Sequence, residues 1–295
     1  MRAEPRASSA QGLFAWDMLS SGLERSDINK KTFFMQGDSK LGATNSSDAA
    51  NSPRFRQVFA ELWRDAIQER GRLHTLAQLA SAFVQTLLGA LPSRRRSRFD
   101  DLDYDFDHAV DTTRSNLSFA TRFLTAFADA PYFATEPWLF EQIMQALPIR
   151  FEDFVFVDIG SGKGRALLMA ARHGFRNIIG VEFMPELHRV AEENTRKFAA
   201  SHPQAPQIQS ACMNARDFQF PSGPLVVYLF NPFPQHVFEA VLENLHKSWR
   251  TNPRPVFIAY RYPESEKLLA ETDWLERIAG TEQWVVYQNR VIGGG

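Results

Sequence analysis

Cysteine is nearly missing from this chain. Cys212 is the single thiol in 295 residues. That excludes an internal disulfide framework and any cysteine-based zinc site, and it fits a reducing compartment. Net charge is missing too. The 33 Lys and Arg stand against 34 Asp and Glu, a formal −1, so no global field draws the chain to nucleic acid or to an anionic membrane. No apolar run approaches the roughly 18 residues that a membrane-spanning helix needs. The opening stretch MRAEPRASSAQGLFAWDMLSSG has Glu4, Pro5 and Asp17 where a signal peptide needs an apolar core, so the expected location is cytoplasmic. The serine-hydrolase elbow G-x-S-x-G does not occur.

What is there is ordinary in bulk: 44% hydrophobic and 23% charged residues, as in globular proteins generally. The length suits one large domain with appendages, or two domains. Residues 1–52 are rich in Ser, Ala, Gly, Asn and Asp without a lasting period, and a disordered tail is expected there. Its apolar group Leu13, Phe14, Trp16, Met18 and Leu19 reads as part of that loose tail rather than as a docking segment.

From Pro53 a helical period sets in. Phe55, Val58, Phe59, Leu62, Trp63, Ala66 and Ile67 form one stripe; after Gly71, Leu73, Leu76, Ala80, Phe83, Val84, Leu87, Leu88 and Leu91 form another. The pattern predicts a helical hairpin over 53–91 with its aromatic face in a core. His74 has no paired ligand and is expected to be structural or exposed. Four arginines at 94, 95, 96 and 98 run straight into Asp100, Asp101, Asp103, Asp105 and Asp107. The charges cancel, which predicts a solvated loop rather than a nucleic-acid grip. A capped helix is expected from Asp111 to Ala130, and another from Trp138 to Leu147. Residues 53–135 are therefore expected to form a helical region, either a cap over the strand ends or an independent module on a linker.

The stretch Phe154 to Gly174, FVFVDIGSGKGRALLMAARHG, organises the rest. An apolar run short enough for a buried strand leads into Asp158-Ile159-Gly160-Ser161-Gly162-Lys163-Gly164, then into a helix. Strand, glycine-rich turn and helix open a nucleotide-binding βαβ unit, in which glycine lets the backbone pass close to a ligand. A dinucleotide fingerprint needs G-x-G-x-x-G, and position 165 is Arg. A phosphate loop needs glycine at 157 and Ser or Thr at 164, and the chain has Val157 and Gly164. Both phosphate readings fail. A tight turn that binds nothing stays open at this point. About 20 residues on, the second strand candidate NIIGVEF ends in Glu182, placed to take two ribose hydroxyls, with Phe183 beside it to cover an adenine face.

The order acid-x-Gly-x-Gly-x-Gly after a strand, with Glu182, resembles the first motifs of the class I S-adenosylmethionine-dependent methyltransferases. The resemblance implies S-adenosylmethionine as cofactor, with Asp158 meeting its amine and Gly160, Ser161, Gly162, Gly164, Glu182 and Phe183 around it. Asn214-Ala215-Arg216-Asp217-Phe218 is similar to the family's acid-Ala-x-x-Phe adenine segment, with Asn214 where the acid usually stands. PLVVYLF, the fourth strand candidate, ends at Asn231-Pro232-Phe233-Pro234. This resembles the Asn-Pro-Pro-aromatic motif of amino-group methyltransferases, one proline short. It implies catalytic roles for Asn231, holding the acceptor nitrogen, and Phe233, packing beside it.

Alternating strands and helices predict an α/β fold, a mostly parallel sheet with helices on both faces preceded by the N-terminal helical region; the resemblance implies that this sheet is Rossmann-like and seven-stranded. By resemblance the methyltransferase domain covers 136–292 and its last strand is antiparallel. The segment is also similar to bacterial methyltransferases of unassigned substrate and, more distantly, to protein-lysine methyltransferases. A metal-dependent relative would place carboxylates after the fourth strand; Asn231 and Pro232 stand there, so no metal is expected. The acceptor is expected to be a protein or small molecule rather than nucleic acid. Two other classes stay open: a Rossmann-like nicotinamide oxidoreductase, and a nucleotide-binding protein of this fold without catalysis.

Overall fold

Apolar runs without alternation make strands that need cover on both faces. Val155–Ile159 (β1) and Val256–Arg261 (β5) are buried at every position, and Leu225–Phe230 (β4) at all but the last. A computed structural model describes residues 53–89, 102–113, 117–128, 130, 132–230 and 234–290. The tail expected at 1–52, the arginines at 94–98, and Asn231 and Phe233 lie outside the described residues. With Asn177–Glu182 (β2), Ile208–Cys212 (β3), Leu275–Gly280 (β6) and Trp284–Asn289 (β7), the strands form one seven-stranded sheet in the order β3-β2-β1-β4-β5-β7-β6. The pairs among β1 to β5 are parallel, as the alternation of strands and helices predicts, and β7 runs antiparallel to both neighbours, as the family resemblance implies.

Side-chain alternation sends odd and even positions of β1 to two cores. Phe156 joins Tyr228 with Leu139, Phe140 and Ile143 of the helix Pro137–Gln145 (α4) and Leu167 and Leu168 of Arg165–Arg172 (α5). Val155, Val157 and Ile159 join Val227 with Phe238, Val241 and Leu245 of Gln235–Thr251 (α7). The helix after β2 is Pro185–Ser201 (α6), with proline in its first turn, where no N–H is needed. A short helix, Glu266–Ala270 (α8), precedes β6.

The N-terminal helices are Pro53–Gly89 (α1), Leu102–His108 (α2) and Phe119–Phe127 (α3). Gly71 breaks α1 with φ 76 and ψ 165. Phe59, Trp63 and Ala66 from before the break, and Leu79 and Ala82 from after it, gather around Phe127. A straight helix would hold residues 63 and 82 about 28 Å apart, so the chain reverses at Gly71 and the hairpin is present.

Two expectations are corrected by one cause. The helix expected from Asp111 begins only at Phe119, where Ser118 Oγ accepts the Thr121 N–H at 3.2 Å. Asp105 belongs to no solvated loop. Its carboxylate accepts the Thr112 and Thr113 amides at 2.8 and 2.9 Å and the Thr112 hydroxyl, and pairs with Arg165 at 3.4 Å. Lys163 is fully buried and donates to Asp111 Oδ1 at 2.7 Å and to the Thr113 carbonyl at 2.6 Å. Asn194 of α6 holds the Asp111 backbone from both sides. The backbone of 111–113 is thus committed to side chains from elsewhere and is not available for a helix. Among the described residues no helix is long and apolar enough to cross a membrane.

Removing one member of a buried ion pair leaves its partner without compensation, at about 3–5 kcal/mol. Asp105→Ala is therefore expected to destabilise the protein by about that amount, measured by urea unfolding. Lys163→Met should cost less, because Asp111 keeps 34% of its side chain exposed and can rehydrate.

Candidate active site

The strand order reverses between β1 and β4, both of which pair with each other while their helices lie on opposite faces. Crevices at such a switch point are where open α/β sheets bind ligands. A pocket opens there, with about 1140 Å³ of space unoccupied by protein atoms, its mouth included. Asp158, Gly160, Ser161 and Gly162 reach it from the end of β1, Glu182 and Phe183 from β2, Asn214 and Ala215 from beyond β3. These eight expected cofactor residues are brought to one pocket. Gly164 does not line it; at φ 85 it ends the turn as the N-cap of α5, and a Cβ there would stand 3.2 Å from that of Ala191.

The three glycines have φ of 85, 55 and 85, a region that L side chains rarely enter. At Gly162 there is a second reason for glycine. A Cβ there would stand 2.4 Å from the ring of Tyr132, whose hydroxyl is anchored on the Thr112 carbonyl at 2.6 Å. The sequence reading gave this glycine a ligand to admit; the structure adds an aromatic ring from the N-terminal region.

Glu182 does more than face the pocket. Its two oxygens accept the Gly162 and Met184 amides, each at 2.7 Å, and so tie the glycine turn to the end of β2. Each carboxylate oxygen can accept a further bond, so capacity for two ribose hydroxyls remains. Burial pushes Glu182 up to about 7, against the pull of the Met184, Gly162 and Phe183 amides. Burial also holds Asp158 well above the usual carboxylate range, and Glu182 adds to it. Among the described residues no group donates a hydrogen bond to Asp158, and Ser161 Oγ is buried without a partner. Buried groups left in this condition are costly. An amine, a cation and hydroxyls of one ligand would relieve all three, and S-adenosylmethionine carries each of them. Asn214 is partly engaged already: its Oδ1 caps Arg216 N at 3.0 Å and its Nδ2 donates to Glu61 at 3.2 Å.

Pattern reading missed the other wall. Tyr132, Phe133 and Thr135 line the pocket from the segment before α4, Tyr228 and Phe230 from β4, and Leu62 and Asp65 from α1. The Tyr228 hydroxyl lies 3.0 Å from Thr135 Oγ1, and Phe133 stacks near Phe230 at 6.5 Å between centroids. The one available signal was Tyr228, a hydroxyl inside an otherwise apolar strand.

Fold and pocket define an open α/β protein with its ligand site at the switch point. Residues 156–252 match the family model of the methyltransferase domain; this part of the chain is a class I, S-adenosylmethionine-dependent methyltransferase domain. No curated protein matches the chain. Among solved structures, an RNA methyltransferase from Salinibacter ruber in complex with S-adenosyl-L-homocysteine is 19% identical, over 53% of this chain and 92% of that one, with a TM-score of 0.37. A precorrin-6y C5,15-methyltransferase from Geobacter metallireducens is 13% identical, over 55% and 91%, at 0.41. A predicted N6-adenine-specific DNA methylase from Listeria monocytogenes is 13% identical, over 53% and 51%, at 0.41.

Cofactor affinity is expected to follow Glu182. Ribose hydroxyls need the carboxylate, which is protonated in the free protein below about 7. Binding should therefore release protons and weaken about fivefold from pH 7 to pH 6, while levelling off at higher pH. Calorimetry in two buffers of different ionisation enthalpy measures both effects, and Glu182→Gln should flatten this part of the profile.

Proposed function

We propose that the domain methylates a nitrogen of a protein or small-molecule acceptor. The observation that carries this is the charge of the pocket wall. Among the described residues it offers no uncommitted cation: Arg165 is committed to Asp105 and Thr112, and the lining carboxyls are Asp158, Glu182 and Asp65, the last paired with Arg216 at 2.8 Å. Such a wall favours an amine over a phosphate-bearing acceptor. The expected position of Asn231 supports the same reading, since Phe230 and Pro234 on either side of the 231–233 segment both line the pocket.

Bound S-adenosylmethionine supplies a methyl group already activated on a sulfonium. The chain has to orient, enclose and desolvate. Asp158 meets the cofactor amine, Glu182 the ribose and Phe183 the adenine. The Asn231 amide oxygen would accept an acceptor N–H and so orient the nitrogen lone pair for transfer, and Phe233 would pack beside the acceptor. Tyr132, Phe133, Tyr228 and Phe230 exclude water. Asparagine is no base, so a lysine-type amine must reach the site neutral, and turnover with such an acceptor rises with pH.

Incubation of methyl-labelled donor with fractionated lysate tests the class: label is expected in protein or small amines, and label confined to RNA or DNA would refute it. Asn231→Ala should lower turnover about 10²-fold or more while donor affinity stays nearly intact; weak donor binding with normal turnover would make Asn231 a cofactor residue only.

We also infer that residues 53–135 act as a cap rather than a separate module. Leu62, Asp65, Thr125 and Tyr132 line the pocket, and Asp105 and Asp111 hold the buried cations of the glycine turn. A 136–295 fragment would strand Lys163 and Arg165. It is expected to be insoluble or devoid of cofactor affinity; a stable, fully active fragment would overturn the cap.

A further inference from the structure

The second arm of α1 turns its more polar face inward. Thr75, Ala82 and Thr86 are buried, and the two hydroxyls bond back one turn, to the Gly71 carbonyl at 2.9 Å and the Ala82 carbonyl at 2.7 Å. Outward stand Leu73, Leu76, Phe83, Val84, Leu87 and Leu88, from 41% to 81% exposed. Phe83 makes one edge contact, with Phe119. The first arm shows the usual arrangement, with Arg54, Arg56, Gln57 and Arg64 outward. An amphipathic helix normally faces its apolar stripe to a partner, and here the stripe is uncovered among the described residues.

The stripe says what kind of partner fits. Positions 73, 76, 80, 83 and 87 step alternately by three and four, the spacing of a helix–helix seam. No Asp, Glu, Lys or Arg occurs from 73 to 93, so two identical faces meet without repulsion. The large side chains sit toward the two ends, and the exposed Ala77 and Ala80 sit at the middle. Two copies crossing antiparallel at these alanines approach closely there. Leu73 and Leu76 of one then meet Phe83, Val84 and Leu87 of the other. The six large side chains expose on the order of 600 Å², approaching the ~800 Å² per partner of a stable interface. A membrane surface fits less well, because interfacial helices carry lysine and arginine on their polar face, and this polar face is uncharged and buried.

We propose that the outward stripe of α1, residues 73–88, is a homodimer seam in which two copies of the chain pack antiparallel about Ala80. Sedimentation equilibrium on the full chain is expected to give twice the monomer mass. Leu76→Lys with Phe83→Lys should return it to one, with the thermal midpoint retained because both side chains are half exposed. In a Cys212→Ser background, Ala80→Cys should link two copies under mild oxidation and Leu73→Cys should not, since the antiparallel crossing brings residue 80 to its own equivalent. A chain monomeric up to about 100 μM, where even weak dimers populate, overturns the proposal. So does a dimer that survives both lysines, or failure of Ala80→Cys to link. A monomer that binds phosphatidylserine vesicles through this stripe would assign the face to lipid instead.

Discussion

Lys163 and Arg165 leave the glycine turn and enter protein, not solvent. Two cations placed where water cannot reach them cost several kcal/mol each unless anions come with them, and here the anions arrive from 52 and 60 residues earlier in the chain. That requirement shapes much of the molecule. It draws residues 105–113 onto α5 and α6, recruits Asn194 and the Thr112 and Thr113 amides, and seats Tyr132 against Gly162. The turn that faces the pocket is therefore held on its far side by the N-terminal region.

The near side is held by the opposite charge. Glu182 spans from β2 to the Gly162 amide, so the turn is clamped between a carboxylate in front and two cations behind. With Asp158 buried beside it and given no donor among the described residues, the free protein keeps two carboxyls in a condition that favours the proton. The site is preorganised in backbone and unsatisfied in charge, which suits a cationic ligand carrying hydroxyls. The raised carboxyls also mean that ionising them works against the folded state as pH rises from the ordinary carboxylate range toward about 7.

Much of this was legible in the residues. β1, β4 and β5 read as strands because short apolar runs without alternation have few other outcomes, and the acid–glycine spacing at 158–164 pointed to their ends, where the pocket opens. Glu182 was found by its distance from the glycines. What stayed hidden were interactions closed over long separations. Asp105 looks like one of five acids in a solvated run; only the partner at 165 distinguishes it. Asp111-Thr112-Thr113 looks like a helix cap, and is one by composition, but Asp105 and Asn194 occupy its backbone. Tyr132 carries no local signal at all, because its role is defined by a missing Cβ at 162. The outward stripe of α1 obeys the helical period, and the period cannot tell which face looks inward.

The pairing of 105 with 165 and of 111 with 163 also governs how this chain can vary over generations. Losing one member strands a charge, whereas exchanging both for well-packed apolar residues can be nearly neutral. Drift at either position is therefore blocked singly and open jointly. Two sites 60 residues apart become one heritable character, and a lineage that lost the acid at 105 would be expected to show a neutral residue at 165 as well.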